Sequence, residues 1–378
     1  MRPALLFYCQ HSVGLGHLMR SYALSARLAE RFRVVLVCGG TLPDGIAPPP
    51  GVEIVPLPAL GVANGRFGAD HPRFTVERAW AERARRIEAA FGRLRPRVVL
   101  VELFPFGRAK FAREIVPLLQ AARRAGAFTV CSLRDLLVTG RSDQVAYDER
   151  ACALANAWLD AVLVHSDPRF ARLEDTFGAA ARLVVPVHYT GLVVADAPPA
   201  DPQREAHVLV SAGGGRVGAP LLRAALAAQE IARVPMRLIA GPLAPAADWD
   251  ALRAAAAGRP GVELVRAVGD LRGELARAAA SVSQCGYNTA LEIVQAGVPA
   301  LVVPYTTSEE DEQTRRARRL ERLGALRVLP PAELTPESLA DELRALARFE
   351  PAPAALDLGG AAATAALLAE LAEEARAA

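Results

Sequence analysis

Short apolar runs punctuated by glycine and followed by amphipathic stretches recur along the chain, and this is the pattern of strand, loop and helix units with a buried parallel sheet. Ala4 to Cys9 reads as a buried strand, Gly14 and Gly16 as a turn, Leu18 through Leu28 as a helix, and RVVLVCGG as the next strand. Val76 to about Arg93 has Trp80, Ala84, Ile87 and Phe91 at helical spacing, with Arg78, Arg83, Arg85, Arg86 and Arg93 spread over the remainder. The runs RVVLVE, FTVCSL, AVLVH and RLVVPV continue the strand series to Val187. A proline-rich, aperiodic stretch at 191–206 then interrupts the pattern, and it restarts with HVLVSAGGGRVGAPLLRAAL, MRLIAGP, VELVRAV and ALVVP. Thr335 and Pro336 read as N-cap and first position of a helix to about Ala347, and Ala361 to Ala378 as a last helix. The fold class is therefore α/β, with two Rossmann-like halves. The expected division is 1–190, a linker at 191–206, 207–350, and a C-terminal tail at 351–378.

Length and composition agree with that division. The chain has 378 residues and 52% hydrophobic composition, enough for two large cores. A net charge of +3 gives no bulk case for nucleic-acid binding. Five cysteines with no CxxC spacing, mostly in apolar runs, read as reduced buried thiols, which points to the cytoplasm. No run of about 18 apolar residues is present to span a bilayer, and MRPALLFYCQH has too short an apolar core for a signal peptide. The basic helix at 76–93 is either a core-packed helix with a solvated face or a peripheral contact with an anionic membrane.

The second half carries the densest chemistry, SQCGYNTALEIVQAGVPALVVPYTTSEEDEQT from Ser283 to Thr314. Gly286 lets a ligand approach the backbone. Asn288 and Thr289 stand at a helix start, where an amide and a hydroxyl join free backbone N–H groups as an anion site. Glu292 lies one turn further on the same face, placed to accept hydrogen bonds from ribose hydroxyls. Two glycine loops invite a dinucleotide reading, and neither supports it: GLGHLM lacks the third glycine, and the strands after both loops end without an acidic residue, even though Gly213, Gly215 and Gly218 satisfy GxGxxG. Asp248, Trp249 and Asp250 form a DxD, which reads as first-turn carboxylates of a helix instead of a metal site. His17 follows the first strand, where an open sheet presents ligands; Arg134 and Asp135 follow a later strand and should project into the same crevice. Thr41 to Phe74 reads as a long irregular stretch suited to acceptor binding.

The run QCGYNTALE resembles the donor signature of GT-B glycosyltransferases, with Gln284 and Tyr287 where the small-molecule glucosyltransferases have histidine and tryptophan. GVPALVVPYTTSEEDEQT is similar to glycosyltransferase family 28, whose best known member makes a lipid intermediate of peptidoglycan. GLGHLMR resembles the first loop of that family and of related nucleotide-sugar hydrolases, in both of which the matching histidine lies at the reaction centre. LFPFGRAKF with SLRDLL resembles a group of predicted transferases close to the same family. The resemblance implies a GT-B fold and inverting transfer of a hexose or N-acetylhexosamine from a nucleotide diphosphate sugar, with a leaning to uridine, to a hydroxyl acceptor. No metal and no cofactor beyond the donor co-substrate is implied. It makes His17 the general base, an imidazole near its ordinary pKa. It gives the diphosphate to Ser211, Gly213, Gly214 and Gly215 and sugar hydroxyls to Asp311 and Gln313. The acceptor side falls to His11, Gly14, Gly16, Arg134 and Asp135. Two alternatives stay open, a hydrolase in which His17 activates water and a non-catalytic nucleotide-sugar binder.

Overall fold

The computed structural model describes residues 2–11, 14–42, 46–63, 66–69, 74–196, 204–307 and 311–377. The first half holds β1 (Ala4–Cys9), α1 (Gly16–Leu28), β2 (Arg33–Cys38), β3 (Val52–Pro56), β4 (Leu60–Ala63), β5 (Arg66–Ala69), α2 (Val76–Leu94), β6 (Val98–Glu102), α3 (Ala112–Arg124), β7 (Phe128–Arg134), α4 (Gln144–Trp158), β8 (Ala161–His165) and β9 (Val187–Tyr189). The second holds β10 (Glu205–Ser211), α5 (Ala219–Ala232), β11 (Met236–Ile239), α6 (Ala246–Ala256), β12 (Val262–Val265), α7 (Leu271–Arg277), β13 (Ala278–Ser283), α8 (Tyr287–Ala296), β14 (Ala300–Val302), α9 (Glu312–Arg322), β15 (Arg327–Val328), α10 (Pro336–Leu346) and α11 (Gly360–Ala377).

Each half builds one parallel sheet, in the orders β3-β2-β1-β6-β7-β8-β9 and β12-β11-β10-β13-β14-β15. Strand order reverses beside the first strand in both, the doubly wound arrangement that opens a crevice beyond the carboxyl ends of the two central strands. The strands are apolar on both faces because helices cover both. In the first half α2, α3 and α4 pack on one side, and α1 with α11 on the other. In the second, α7, α8 and α9 share one core, and α5, α6 and α10 the other. Leu136, Phe170 and Ala171 of the first half lie in the same buried cluster as Tyr287, Leu291 and Leu320. The final helix thus closes the first sheet, although it follows the second in the chain.

Local chemistry explains the agreements and the shifts. Thr335 caps α10 with a reciprocal capping box, its Oγ1 accepting from the Ser338 N–H at 3.1 Å, and Pro336 follows in the first turn. Gly297 ends α8 in the left-handed region at φ 56°. RLVVPV does not form its expected strand: a single 3-10 turn occupies Ala180–Arg182, and pairing begins only at Val187. The stretch from Thr41 to Phe74, in its described part, is not irregular but contains β3 and the antiparallel β4–β5 pair. Phe67 of that pair stacks on Trp80 at 5.9 Å between ring centroids. Residues 43–45, 64–65 and 70–73 of it, and 197–203 of the linker, lie outside the described residues.

The face of α2 also differs from its expected one, since Ala84 is exposed and Arg83 is buried. Arg83 is accommodated because every direction around it offers an acceptor: Glu114 Oε2 at 3.0 Å, the Gly39 and Pro58 carbonyls at 2.9 and 2.8 Å, and Gln10 Oε1 at 2.6 Å. Arg85 and Arg86 pair with Glu82, and Arg93 pairs with Glu53. The helix therefore presents a largely neutralised face. Among the described residues no helix is long and apolar enough to cross a membrane. All five cysteines are free and buried.

Candidate active site

The two switch points face one another. From the first sheet, the end of β1 delivers His11, and the following turn at Gly14 leads into the first turn of α1, which carries Gly16 and His17. Across the switch point β6 ends in Glu102, which has no exposed surface. His17 Nδ1 lies 2.6 Å from Glu102 Oε1. Arg20, one turn along α1, bonds the same carboxylate oxygen, and Arg108 Nε approaches its other oxygen at 3.8 Å. Burial alone would push the Glu102 carboxyl up, but His17, Arg20 and Arg108 outweigh it and hold the group ionised well below the usual carboxylate range. His17 Nε2 has no hydrogen bond among the described residues, and its side chain is 20% exposed. With Nδ1 engaged by a carboxylate, the other nitrogen is the one left to take a proton.

His17 does not sit near its ordinary pKa. Burial pushes the imidazole down, the Arg108 and Arg134 charges add to that, and Glu102 opposes it by charge and hydrogen bond. The ring is therefore neutral and proton-accepting through the physiological range. Glu102 is the site residue that sequence reasoning passed over. Its signal was available, an acid closing the apolar run RVVLVE at the end of a strand next to β1, but only sheet order tells which strand end lies beside His17.

From the second sheet, β10 ends in Ser211, whose buried Oγ has no partner among the described residues. Gly213 and Gly215 then turn with φ 56° and 89°. A Cβ on Gly215 would lie 2.4 Å from the Ala240 carbonyl, so only glycine fits this loop. Gly214 faces the first half, and a Cβ there would stand 3.5 Å from the Leu15 nitrogen. Next to this loop Gly286 precedes α8 without capping it by a side chain and with open space where a Cβ would be. The first N–H groups of α8 thus have no side-chain cap. Thr289 is half-buried in that first turn. Asn288 already reaches across the cleft, donating from Nδ2 to the Gly16 carbonyl at 3.0 Å. Glu292 has no hydrogen bond among the described residues; burial raises its carboxyl to about 7, with Arg272 pulling it down and Asp270 pushing it up.

Several expected positions have other occupations. Asp135 is buried and clamped to Arg316 of α9 at 2.7 and 2.8 Å. Arg134 pairs with Glu312. The Tyr287 hydroxyl accepts from the Val193 N–H at 2.8 Å, and the Arg20 and Arg316 guanidinium groups each lie 5.5 Å from its ring centre. The Gln313 carbonyl oxygen accepts from the backbone N–H groups of Cys285 and Tyr305, both at 3.0 Å, fixing the loop between β13 and α8. Asp311 takes Arg315 and Thr139 on one oxygen, and its buried Oδ1 has no partner among the described residues. Asp248 and Asp250 lie in the first turns of α6, paired with Arg223 and Arg253.

The fold has known counterparts. Solved structures that match nearly the whole chain include the calicheamicin glycosyltransferase CalG4 (21% identity, TM-score 0.59, 99% of this chain and 98% of that one). Acinetobacter baumannii MurG matches with 15% identity and TM-score 0.58 over 98% of this chain and all of the other. Arabidopsis thaliana UGT89C1, solved with UDP, reaches TM-score 0.65 at 15% identity over 99% of this chain and all of the other. The fold is GT-B, and the chain resembles glycosyltransferase family 28. Residues 261–371 match that family's C-terminal domain. Curated relatives carry the name UDP-N-acetylglucosamine--N-acetylmuramyl-(pentapeptide) pyrophosphoryl-undecaprenol N-acetylglucosamine transferase. The one from Rhodospirillum centenum is 38% identical over 25% of this chain and 24% of its own length. The one from Cupriavidus metallidurans is 36% identical over 38% and 40%. The chain thus aligns with less than half of the length of these relatives.

Proposed function

We propose that this GT-B protein is an inverting glycosyltransferase that moves a hexose or N-acetylhexosamine from a UDP-sugar to a hydroxyl acceptor, without a metal. The observation that carries the reading is the 2.6 Å contact of His17 with Glu102 at one switch point, opposite two uncommitted donor surfaces at the other. His17 Nε2 takes the proton of the acceptor hydroxyl as its oxygen attacks the anomeric carbon. The bond from that carbon to the diphosphate breaks on the opposite face, and the nucleoside diphosphate leaves with the electron pair. Glu102 holds the ring in the tautomer that leaves Nε2 free and stabilises the imidazolium that forms. The Ser211 to Gly215 loop and the N–H groups at the start of α8 take the departing charge, the task a metal would otherwise perform. Glu292 holds ribose hydroxyls, and Asp311 Oδ1 is open to a sugar hydroxyl.

A hydrolase built on the same His17 gains no support from the named relatives and structures, which are transferases. The test is a thermal-shift screen of UDP-sugars with and without EDTA. The expected result is a rise in Tm for at least one UDP-sugar, and, once an acceptor is found, turnover unchanged by the chelator. A complete loss that added metal reverses would return Asp248 and Asp250 to consideration. Free sugar released rapidly in water alone would favour the hydrolase.

A further inference from the structure

His17 is flanked along α1 by two contacts with the start of α8. One residue before it, the Gly16 carbonyl accepts from Asn288 Nδ2 at 3.0 Å. One turn after it, the Arg20 guanidinium carbon lies 5.5 Å from the centre of the Tyr287 ring, inside the roughly 6 Å reach of a cation–π contact. Tyr287 and Asn288 are the first two residues of α8. Positions 16, 17 and 20 share one face of a helix, so the face that carries the imidazole also meets the other half.

Arg20 is the less expected of these contacts. It is 2% exposed, and its Nε is buried without a hydrogen-bond partner. Among the described residues its one acceptor is Glu102 Oε1, the oxygen that His17 Nδ1 also meets at 2.6 Å. Packing alone gives no reason for a guanidinium here, because an aliphatic side chain would fill the place without taking a charge out of water. The guanidinium does two things that an aliphatic group cannot. It fixes the carboxylate that orients the imidazole, and it balances that carboxylate, leaving less negative charge to draw a proton onto His17.

The surroundings of this group are defined on every side. Burial is the first cause of the lowered His17 pKa; Glu102 opposes it, and the charges of Arg108 and Arg134 add to it. From across the cleft α8 brings the uncharged Asn288 amide. The Tyr287 ring is itself held in place, 6% exposed, its hydroxyl accepting from the Val193 N–H at 2.8 Å and donating to the His165 carbonyl at 3.2 Å.

We propose that Arg20 is a positioning residue for the transfer, holding the Glu102 carboxylate and, through the Tyr287 ring, setting the His17 imidazole in register with the start of α8. The inference rests on the reading of His17 as base and deepens it, by naming what aligns the base with the half across the cleft.

Nitrogen-15 spectra of the histidine rings in the full chain test this without donor or acceptor, the His17 signals being identified by their loss in His17→Ala. The wild-type ring should carry its proton on Nδ1 and titrate below the ordinary imidazole value of 6.5. Arg20→Gln should raise the His17 midpoint by about one pH unit or more, tenfold in the protonation equilibrium. Arg20→Lys keeps the charge and should stay closer to the wild type. Tyr287→Leu should shift the midpoint the same way by less, whereas Tyr287→Phe, which keeps the ring, should not shift it. A side chain that serves packing alone would lower the melting temperature and leave the midpoint where it was. The proposal is overturned if folded Arg20→Gln keeps the wild-type midpoint, or if Tyr287→Leu shifts it no more than Tyr287→Phe. Melting curves show which variants fold, and the Tyr287 pair decides if Arg20→Gln does not. Because no turnover is needed, failure here leaves the base reading standing, and full turnover in His17→Ala would remove that reading whatever the ring spectra show.

Discussion

Asp135 and Arg316 form a two-point ion pair, 2.7 and 2.8 Å, in which neither side chain has exposed surface, although one follows the first sheet and the other lies on α9 of the second. Arg316 also donates to the Cys285 carbonyl at 3.0 Å, so the clamp is tied to the loop that leads into α8. Around it Arg134 meets Glu312, and Arg319 meets Asp175 and the Phe170 carbonyl. One helix, α9, thus fastens the two halves while its N-terminal end carries Gln313 and follows Asp311.

Removing one partner of such a pair leaves the other as a buried charge without compensation. Arg316→Ala should lower stability by about 3–5 kcal/mol, read as a fall in the urea midpoint. Asp135→Asn with Arg316→Met should cost clearly less than the single change, because no charge remains buried. Equal losses in the single and double variants would show that the pair is not what joins the halves.

The proposed contact of Glu292 with ribose makes UDP binding pH-dependent with a definite sign. Its carboxyl is raised to about 7 in the free protein, chiefly by burial, while ribose hydroxyls need the ionised form as acceptor. Affinity for UDP should therefore improve roughly tenfold from pH 6 to pH 8, following the ionised fraction. Stability of the free protein runs the other way. The folded pKa is above the ordinary 4.5, so this group's contribution is fully present below 4.5 and is lost as pH rises through 7. Glu292→Gln should flatten both trends, weakening UDP at pH 8 while raising the Tm of the free protein there. A UDP affinity independent of pH and of this substitution would remove Glu292 from the site.

How much of this was legible in the sequence depends on how local the cause is. The strand runs, the glycine loops, the start of α8 and the Thr335 cap follow from neighbours within a few residues, and they stand where the pattern placed them. RLVVPV failed because an apolar run pairs only where a partner edge meets it in register. Val184 in its middle is exposed, Pro186 has no N–H to give, and β8 offers its edge only to Val187 through Tyr189. The partner of Asp135 was hidden for a related reason. The position of Asp135 after a strand was right, but the residue that meets it lies 181 positions away. Glu102 and Arg108 went unassigned for the same cause, since only the order β1-β6 in the sheet brings them to His17.

The His17 and Glu102 contact makes the sharpest prediction about chemistry. His17→Ala should keep UDP affinity, because the proposed nucleotide surfaces lie on the other half, and lose on the order of a hundredfold or more in turnover, the scale of a removed general base. Glu102→Gln keeps the shape and removes the charge that stabilises the imidazolium, so it should also lose turnover with little change in donor affinity. Because both act on one proton transfer, the double variant should be little slower than His17→Ala alone. The pH profile adds a check that mere misfolding would not produce. At saturating donor the acid limb of wild-type turnover should fall below the ordinary imidazole value of 6.5, since burial depresses His17, and Glu102→Gln should not move it upward, because Glu102 is the group that opposes the depression. Turnover in the double variant that falls by the product of the two single losses would mean that the residues act separately, and an acid limb above 6.5 would mean that His17 is not the titrating base.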